Sequence, residues 1–244
     1  ILVAANNCTD GTEQVAYEAG ATVYLVEGNR DKKAGALNRT LEMLDSALDD
    51  TDMVLIADAD TQLTPDFIEV ALQYHRDYTF VGGVGGAFEG RPTTTLIGTL
   101  QQMEFYRYLG QIKRFGSEAF VLSGTGCLFL MEALRAVKHA RREGVLLPKG
   151  ESFYDTLSLT EDNEMTLALK VLRYRCMSPE DMRTTTDVMD SVKTLHDQRD
   201  RWYLGALWNL RHYGTKMPWR MRATYWRQQA GLLLSTFGMA LFLI

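Results

Sequence analysis

The sequence predicts an α/β fold with a mixed, mainly parallel sheet, and three observations carry that reading. Short apolar runs rich in β-branched residues alternate with helical periodicities over the first third of the chain. Each apolar run ends in amides or acids, as strands do when a site lies beyond their carboxyl ends. Strands that alternate with helices pair in parallel, with helices on both faces.

The elements follow in order. "ILVAANN" is a strand, and "TEQVAYEAG" a short helix closed by Gly20. "ATVYLVEG" is a second strand. In "GALNRTLEMLDSAL", Leu37, Leu41, Leu44 and Leu48 share one helical face. "DMVLIADAD" is a continuous apolar run ending in acids, the pattern of a buried parallel strand. "TPDFIEVALQYH" is a helix with Thr64 at the N-cap and Pro65 in its first turn. Beyond it come the Gly-rich strand "FVGGVGGAF", a long helix from Leu96 to Phe115 and a strand "FVLSGTGCLFL".

Composition narrows the function. The chain has 244 residues, 46% of them hydrophobic and 23% charged, in the range of a folded domain. A net charge of −5 excludes general nucleic-acid binding, which needs a basic surface. Cys8, Cys127 and Cys176 are odd in number and widely spaced, so they form neither a zinc site nor a disulfide framework. Reduced, structural thiols in a cytosolic compartment fit best.

The end of the chain points to a membrane. "AGLLLSTFGMALFLI", Ala230 to Ile244, is apolar and uncharged. Trp202, Trp208, Trp219 and Trp226 precede it, with Arg211, Lys216, Arg220, Arg222 and Arg227. Aromatic and basic residues beside an apolar segment describe a cytoplasmic membrane interface. The expected organisation is a catalytic domain over 1–195, interfacial helices over 196–227 and the start of a truncated transmembrane helix over 228–244.

Four segments offer chemistry, each with a plainer reading beside it. In "DADT", Asp58 and Asp60 are two apart, so on an extended chain both carboxylates point the same way. Paired carboxylates suit Mg²⁺ or Mn²⁺ shared with substrate phosphates; the alternative is a strand end and a turn. Lys32 and Lys33 stand at a helix start with Gly35, which suits a phosphate or a solvated basic loop. In "QRDRW", Gln198, Arg201 and Trp202 share a helical face, fitting a sugar diphosphate or a surface helix with an inward Trp. In "SLTEDNEMTLALK", Ser158 and Glu161 form a capping box, and Glu161, Asp162 and Glu164 are first-turn acids.

Taken in order, D-x-D in "DADT", T-E-D in "LTEDNEM" and Q-x-x-R-W in "QRDRW" resemble the membrane-bound family 2 glycosyltransferases, the group of cellulose, hyaluronan and poly-N-acetylglucosamine synthases. "KKAGALN" and "VLSGTGCLF" also look like segments of that family, and the likeness spans Ile1 to Trp202. The resemblance implies a nucleotide-sugar-binding, Rossmann-like GT-A fold, an inverting mechanism, a divalent cation (Mg²⁺ or Mn²⁺), a donor of UDP-linked type and a glycan acceptor. It implies that Asp58 and Asp60 hold the metal and donor diphosphate, with Lys33 near the nucleotide and Gln198 and Arg201 on the diphosphate. Asp162 becomes the general base, Glu161 its neighbour on the acceptor side, and Trp202 the platform for the acceptor sugar. Ser123, Gly124 and Thr125 border the acceptor pocket.

Two departures stand. The chain begins after the family's usual base-contacting first strand, and Asn6 replaces the acid common after the second. A tension also stands: the helix N-terminus lowers the Asp162 pKa, while Glu161 and burial raise it. A transferase adding one sugar to a lipid, a nucleotide-sugar-binding module without turnover and a soluble nucleotidyltransferase remain as alternatives. The last of these sits poorly with Q-x-x-R-W and the apolar tail.

Overall fold

The computed structural model describes residues 1–219, 222–227 and 230. Its opening follows the expected alternation: β1 (Leu2–Asn6), α1 (Thr12–Glu18), β2 (Thr22–Val26), α2 (Lys32–Asp45) and β3 (Met53–Ile56). Strands β1 and β2 pair in parallel, with Asn6 opposite Val26, so both carboxyl ends open on one side.

Then come β4 (Gln62–Leu63), α3 (Phe67–Asp77), β5 (Val81–Gly85), β6 (Ala87–Gly90) and α4 (Leu96–Arg114). The rest is β7 (Cys127–Leu130), α5 (Met131–Arg142), α6 (Glu161–Val171), β8 (Arg175–Met177), β9 (Arg183–Thr186) and α7 (Val192–Tyr213). A four-stranded sheet has the order β3-β7-β5-β8, and a three-stranded one β4-β9-β6.

The fold is mixed α/β, but not mainly parallel. Strand β7 runs antiparallel to both β3 and β5, and β4 antiparallel to β9. The parallel pairs are β1 with β2, β5 with β8 and β6 with β9. The reversal at β7 comes from its exit: Leu130 leads straight into α5, and the Met131 and Glu132 amides bond the carbonyls of Asp52 and Asp50 beside the start of β3. The strand expected over "FVLSGTGCLFL" is accordingly only Cys127–Leu130; Phe120 to Gly126 is a loop and turn.

Helix α3 also differs from expectation. It begins at Phe67 with Asp66 at the cap, while Thr64 and Pro65 lie in the turn before it. Thr64 does not cap: its buried hydroxyl has no hydrogen-bond partner among the described residues, and its amide bonds the Arg183 carbonyl at 3.2 Å beside the end of β4. Phe67, 1% exposed, is drawn into the core with Ala71, Val84, Leu128 and Met177. Each such buried side chain contributes roughly 1.5–3 kcal/mol.

The larger core packs α5 and α6 against the sheet through Leu134, Val137, Met165, Leu167 and Leu169. The glycines of β5 mark close approach. A Cβ on Gly83 would lie 2.9 Å from both Leu122 and Phe129 side chains.

Helix α7 runs without a break across the expected 195/196 boundary. No helix among the described residues is long and apolar enough to cross a membrane. The segment 228–244 lies, apart from Ala230, outside the described residues, as does Arg220.

Candidate active site

The site lies where the loop after β3, the loop before β7 and the starts of α2 and α6 meet. The start of α2 is tied to the end of β1 by asparagines. Asn29, 8% exposed, donates from Nδ2 to Asn6 Oδ1 at 2.8 Å and to the Lys32 carbonyl at 2.5 Å. Asn6 donates to the same carbonyl at 3.3 Å, and Asn7 Nδ2 donates to the Asn29 carbonyl at 2.7 Å. Gly35 makes room: a Cβ there would fall 2.2 Å from Asn29 Oδ1. Lys32 and Lys33 are thus the first residues of the helix itself.

From there Lys33 reaches across the site. Its ammonium contacts the Asp58 carboxylate and stands 3.4 Å from Glu161 Oε1. Burial by itself depresses its pKa, but Asp58, Glu161 and Asp162 outweigh burial and leave it raised. Lys33 is charged at neutral pH and neutralises a cluster of acids.

Asp58 and Asp60 are not on extended chain. The Thr61 amide bonds the Asp58 carbonyl at 3.1 Å, closing a turn, because β3 ends at Ile56. Asp58 is half-buried and Asp60 exposed. The Asp58 amide bonds the Gly124 carbonyl at 2.8 Å. The Asp60 carbonyl accepts from Arg91 Nη2 at 2.7 Å.

Gly124 joins the acids of the two loops. Its amide donates to Asp162 Oδ2 at 3.4 Å. A Cβ on it would meet Lys33 Nζ at 2.3 Å and Asp58 Oδ2 at 2.7 Å, so any larger residue would push that ion pair aside. Beside it, Ser123 and Thr125 hydroxyls lie 2.6 Å apart, and Thr125 accepts from Thr184 at 3.1 Å.

Helix α6 starts differently from the expected capping box. Thr160 occupies the N-cap and Ser158 lies two residues earlier, its hydroxyl bonded to both the Thr160 amide and the Asn209 side chain. Asn209 of α7 holds the helix start from outside, donating to the Thr160 carbonyl, the Thr160 hydroxyl and Asn163 Oδ1 at 3.0–3.3 Å. Gly205 lets α7 approach, since a Cβ there would fall 2.4 Å from Thr160 Oγ1. One turn on, Glu164 takes two bonds from Arg141 of α5, at 2.9 and 2.7 Å, with both side chains 0% exposed. Tyr213 of α7 donates to the same carboxylate.

These fastenings present Asp162 to the site. Its Oδ1 accepts from the Asn163 amide at 2.7 Å. Burial first, then Glu161, push its pKa from 3.8 up to about 6; Lys33 and the backbone amides of Asn163 and Gly124 offset part of that rise. The tension left open by the sequence resolves toward the raised value, that of a carboxylate basic enough to take a proton near neutrality.

Asp162 and Ser123 also line a cavity of about 310 Å³ that Trp202, Tyr108, Phe120 and Tyr225 wall with aromatic rings. In α7 the inward face carries Gln198, Arg199 and Trp202, while Arg201 is exposed. Gln198 accepts from the buried Gln101 at 2.7 Å. Arg199 pairs with Glu104 at 2.5 Å and lies 4.5 Å over the Trp202 ring. It shares the cavity wall with Trp202.

Cys127 and Cys176 are buried, and burial raises both thiols, Cys176 to about 12, so neither is a nucleophile. No cluster of three metal-ligating side chains occurs among the described residues. The D-x-D carboxylates fit instead a cation completed by phosphate oxygens, which needs only one or two protein carboxylates.

Sequence reasoning missed Asn29, Arg91, Arg199, Asn209 and the Arg141–Glu164 pair. Arg199 stood inside "QRDRW" and needed only the helical phase. The others look like ordinary polar residues until the fold brings their partners near.

The family described as "Glycosyltransferase like family 2" matches residues 1–205. Among solved structures, a mannosyltransferase from Pyrobaculum calidifontis, bound to GDP-Man and Mn²⁺, superposes with a TM-score of 0.58 at 20% identity. That match covers 100% of this chain and 70% of the other. Glucosyl-3-phosphoglycerate synthase from Mycobacterium tuberculosis, in complex with phosphoglyceric acid, gives 0.50 at 17% identity over 87% of this chain and 67% of the other. At these identities the likeness establishes a GT-A-like fold. No curated protein sequence matches this chain.

Proposed function

This chain belongs to glycosyltransferase family 2, and on that premise we propose that it is an inverting, metal-dependent transferase in which Asp162 is the general base. One observation carries the proposal: a carboxylate raised to about 6 stands one glycine away from the Lys33–Asp58 pair and at the edge of a cavity walled by Trp202. A base must lie between donor and acceptor, and the place of Asp162 between the ion pair and the aromatic cavity supports that role.

In the proposed reaction an acceptor hydroxyl in the cavity gives its proton to Asp162. Its oxygen bonds the anomeric carbon while the bond from that carbon to the diphosphate breaks on the opposite face. Asp58 and Asp60 would hold a divalent cation, Mg²⁺ or Mn²⁺, which supplies charge neutralisation at the departing diphosphate. Lys33 supplies a fixed positive charge beside it. Gln198 and Arg201 serve the diphosphate, Trp202 stacks on the acceptor sugar, and Glu161, Ser123, Gly124 and Thr125 border that sugar. Asn6 lies at the nucleotide end.

The donor we propose is a UDP-linked hexose or N-acetylhexosamine, and the product a β-linked polysaccharide extended processively at the cytoplasmic face of a membrane. The ordered D-x-D, T-E-D and Q-x-x-R-W set supports the polymer-forming reading. Exposed Trp208, Trp219 and Trp226 near Arg211 and Arg222 support the membrane reading.

A panel of UDP- and GDP-sugars with Mg²⁺ or Mn²⁺, assayed on the protein in its membrane, tests the proposal. Release of UDP from one donor, with a product that lengthens with time, is expected. Addition of a single sugar would overturn the processive part, and turnover of no donor would overturn the enzyme.

A further inference from the structure

Asp58 and Asp60 are anchored by different means. Asp58 is bound through its amide to Gly124 and through its carboxylate to Lys33. Asp60 is exposed, and among the described residues its carboxylate bonds only the Thr61 hydroxyl, at 3.3 Å. What fixes its backbone comes from another sheet. Arg91 follows the last residue of β6, and its amide bonds the Thr186 carbonyl at the end of β9 at 2.8 Å. Strand β9 lies between β6 and β4, and β4 begins directly after the Asp58–Thr61 turn. Arg91 thus extends from one edge of the three-stranded sheet to the turn that leads into the other edge. Nη2 donates to the Asp60 carbonyl at 2.7 Å, and Nη1 pairs with Asp187 at 3.0 Å.

We propose that Arg91, steered by Asp187, is a positioning residue for the donor site: it holds the Asp60 turn in the geometry that a cation–diphosphate complex requires. The inference rests on the donor-site reading above. The planar guanidinium suits the task because two of its nitrogens bind two differently placed oxygens at once, which an ammonium cannot do with the same geometry. A free turn would have to be ordered when the donor binds, at a cost in affinity; a turn already held avoids that cost. The guanidinium also places positive charge beside the turn.

The test is calorimetric titration of Mn²⁺ with UDP, and of Mn²⁺ with GDP, into the whole chain. Wild-type protein that bound neither nucleotide would overturn the donor-site reading itself, separately from the role of Arg91. Given wild-type binding, Arg91→Ala weakens it roughly fivefold with an unchanged melting temperature, since a half-exposed charged contact has modest worth. Arg91→Lys falls between the two, and Asp187→Asn weakens binding about twofold, as expected for a partner that only aims the guanidinium. Donor KM rises in step while kcat holds. Nucleotide affinity equal to wild type in a folded Arg91→Ala would overturn the proposal, as would affinity lost only together with melting temperature.

Discussion

The turn that carries Asp58 and Asp60 and the helix start that carries Asp162 meet at Gly124, yet they are built in opposite ways. The turn is half-exposed, and its charges are satisfied by groups that a ligand can replace or join: Lys33 on Asp58, solvent on Asp60. The helix start is enclosed. Asn209, Ser158 and Thr160 bond one another around it, and the fully buried Arg141–Glu164 pair locks the next turn. The difference suits the two tasks proposed above. A donor and its cation must come and go, whereas a base needs a fixed place and a shifted pKa, which burial supplies.

The contrast breaks most easily at Arg141. Arg141→Met strands Glu164 as a buried, uncompensated acid and costs about 3–5 kcal/mol of stability, read as a loss in denaturant midpoint. Replacing both, R141M with E164L, recovers part of that loss. If the single variant were as stable as wild type, the helix start would not be fastened as described.

Asn209→Ala is a milder version of the same break. It removes the outside cap from α6 and costs about 2 kcal/mol, while Mn²⁺–UDP affinity holds. A loss confined to nucleotide affinity would mean that α7 supports the turn rather than the helix.

Gly124→Ala acts on the other side. The added methyl collides with the Lys33–Asp58 pair, and nucleotide affinity falls about tenfold, or about 1.4 kcal/mol. An alanine variant with normal affinity would show that the ion pair is not part of the donor site.

An effect of similar size lies in the pH dependence of stability. The folded pKa of Asp162 is above its ordinary value, so between pH 3.8 and about 6 the native chain holds more proton than the unfolded one. Stability from this group is fully present below that window and is lost as pH rises through it. Asp162→Asn removes the loss and stabilises the protein above pH 6 by roughly 1–2 kcal/mol, with almost no difference near pH 3. Thermal melts at the two pH values check this; equal melting at both would mean that the carboxylate is not held against its charge.

Much of this comparison was legible in the sequence. The apolar runs and their polar ends located β1, β2 and β3, and the ordered motifs brought Lys33, Asp58 and Asp162 to one place. What was not legible depended on partners far along the chain. "LTEDNEM" shows three first-turn acids; that Glu161 faces Lys33, Asp162 the cavity and Glu164 a buried arginine follows from packing alone. Thr64 and Pro65 read as a helix start, but the helix begins at Phe67 and the Thr64 hydroxyl caps nothing among the described residues. In "QRDRW" the spacing singled out Arg201, which is exposed, but did not show that Arg199 of the same segment turns inward to the Trp202 ring. The direction of β7 was hidden because "CLFL" is equally apolar read either way.

The central claim is that Asp162 takes the acceptor proton and leaves donor binding to the turn. Asp162→Asn, compared with wild type for sugar transfer and for Mn²⁺–UDP affinity on the same preparation, tests it directly. The account predicts transfer reduced at least a thousandfold, about 4 kcal/mol of barrier, with affinity within about twofold. Transfer that survives the substitution, or nucleotide affinity that disappears with it, would contradict the account.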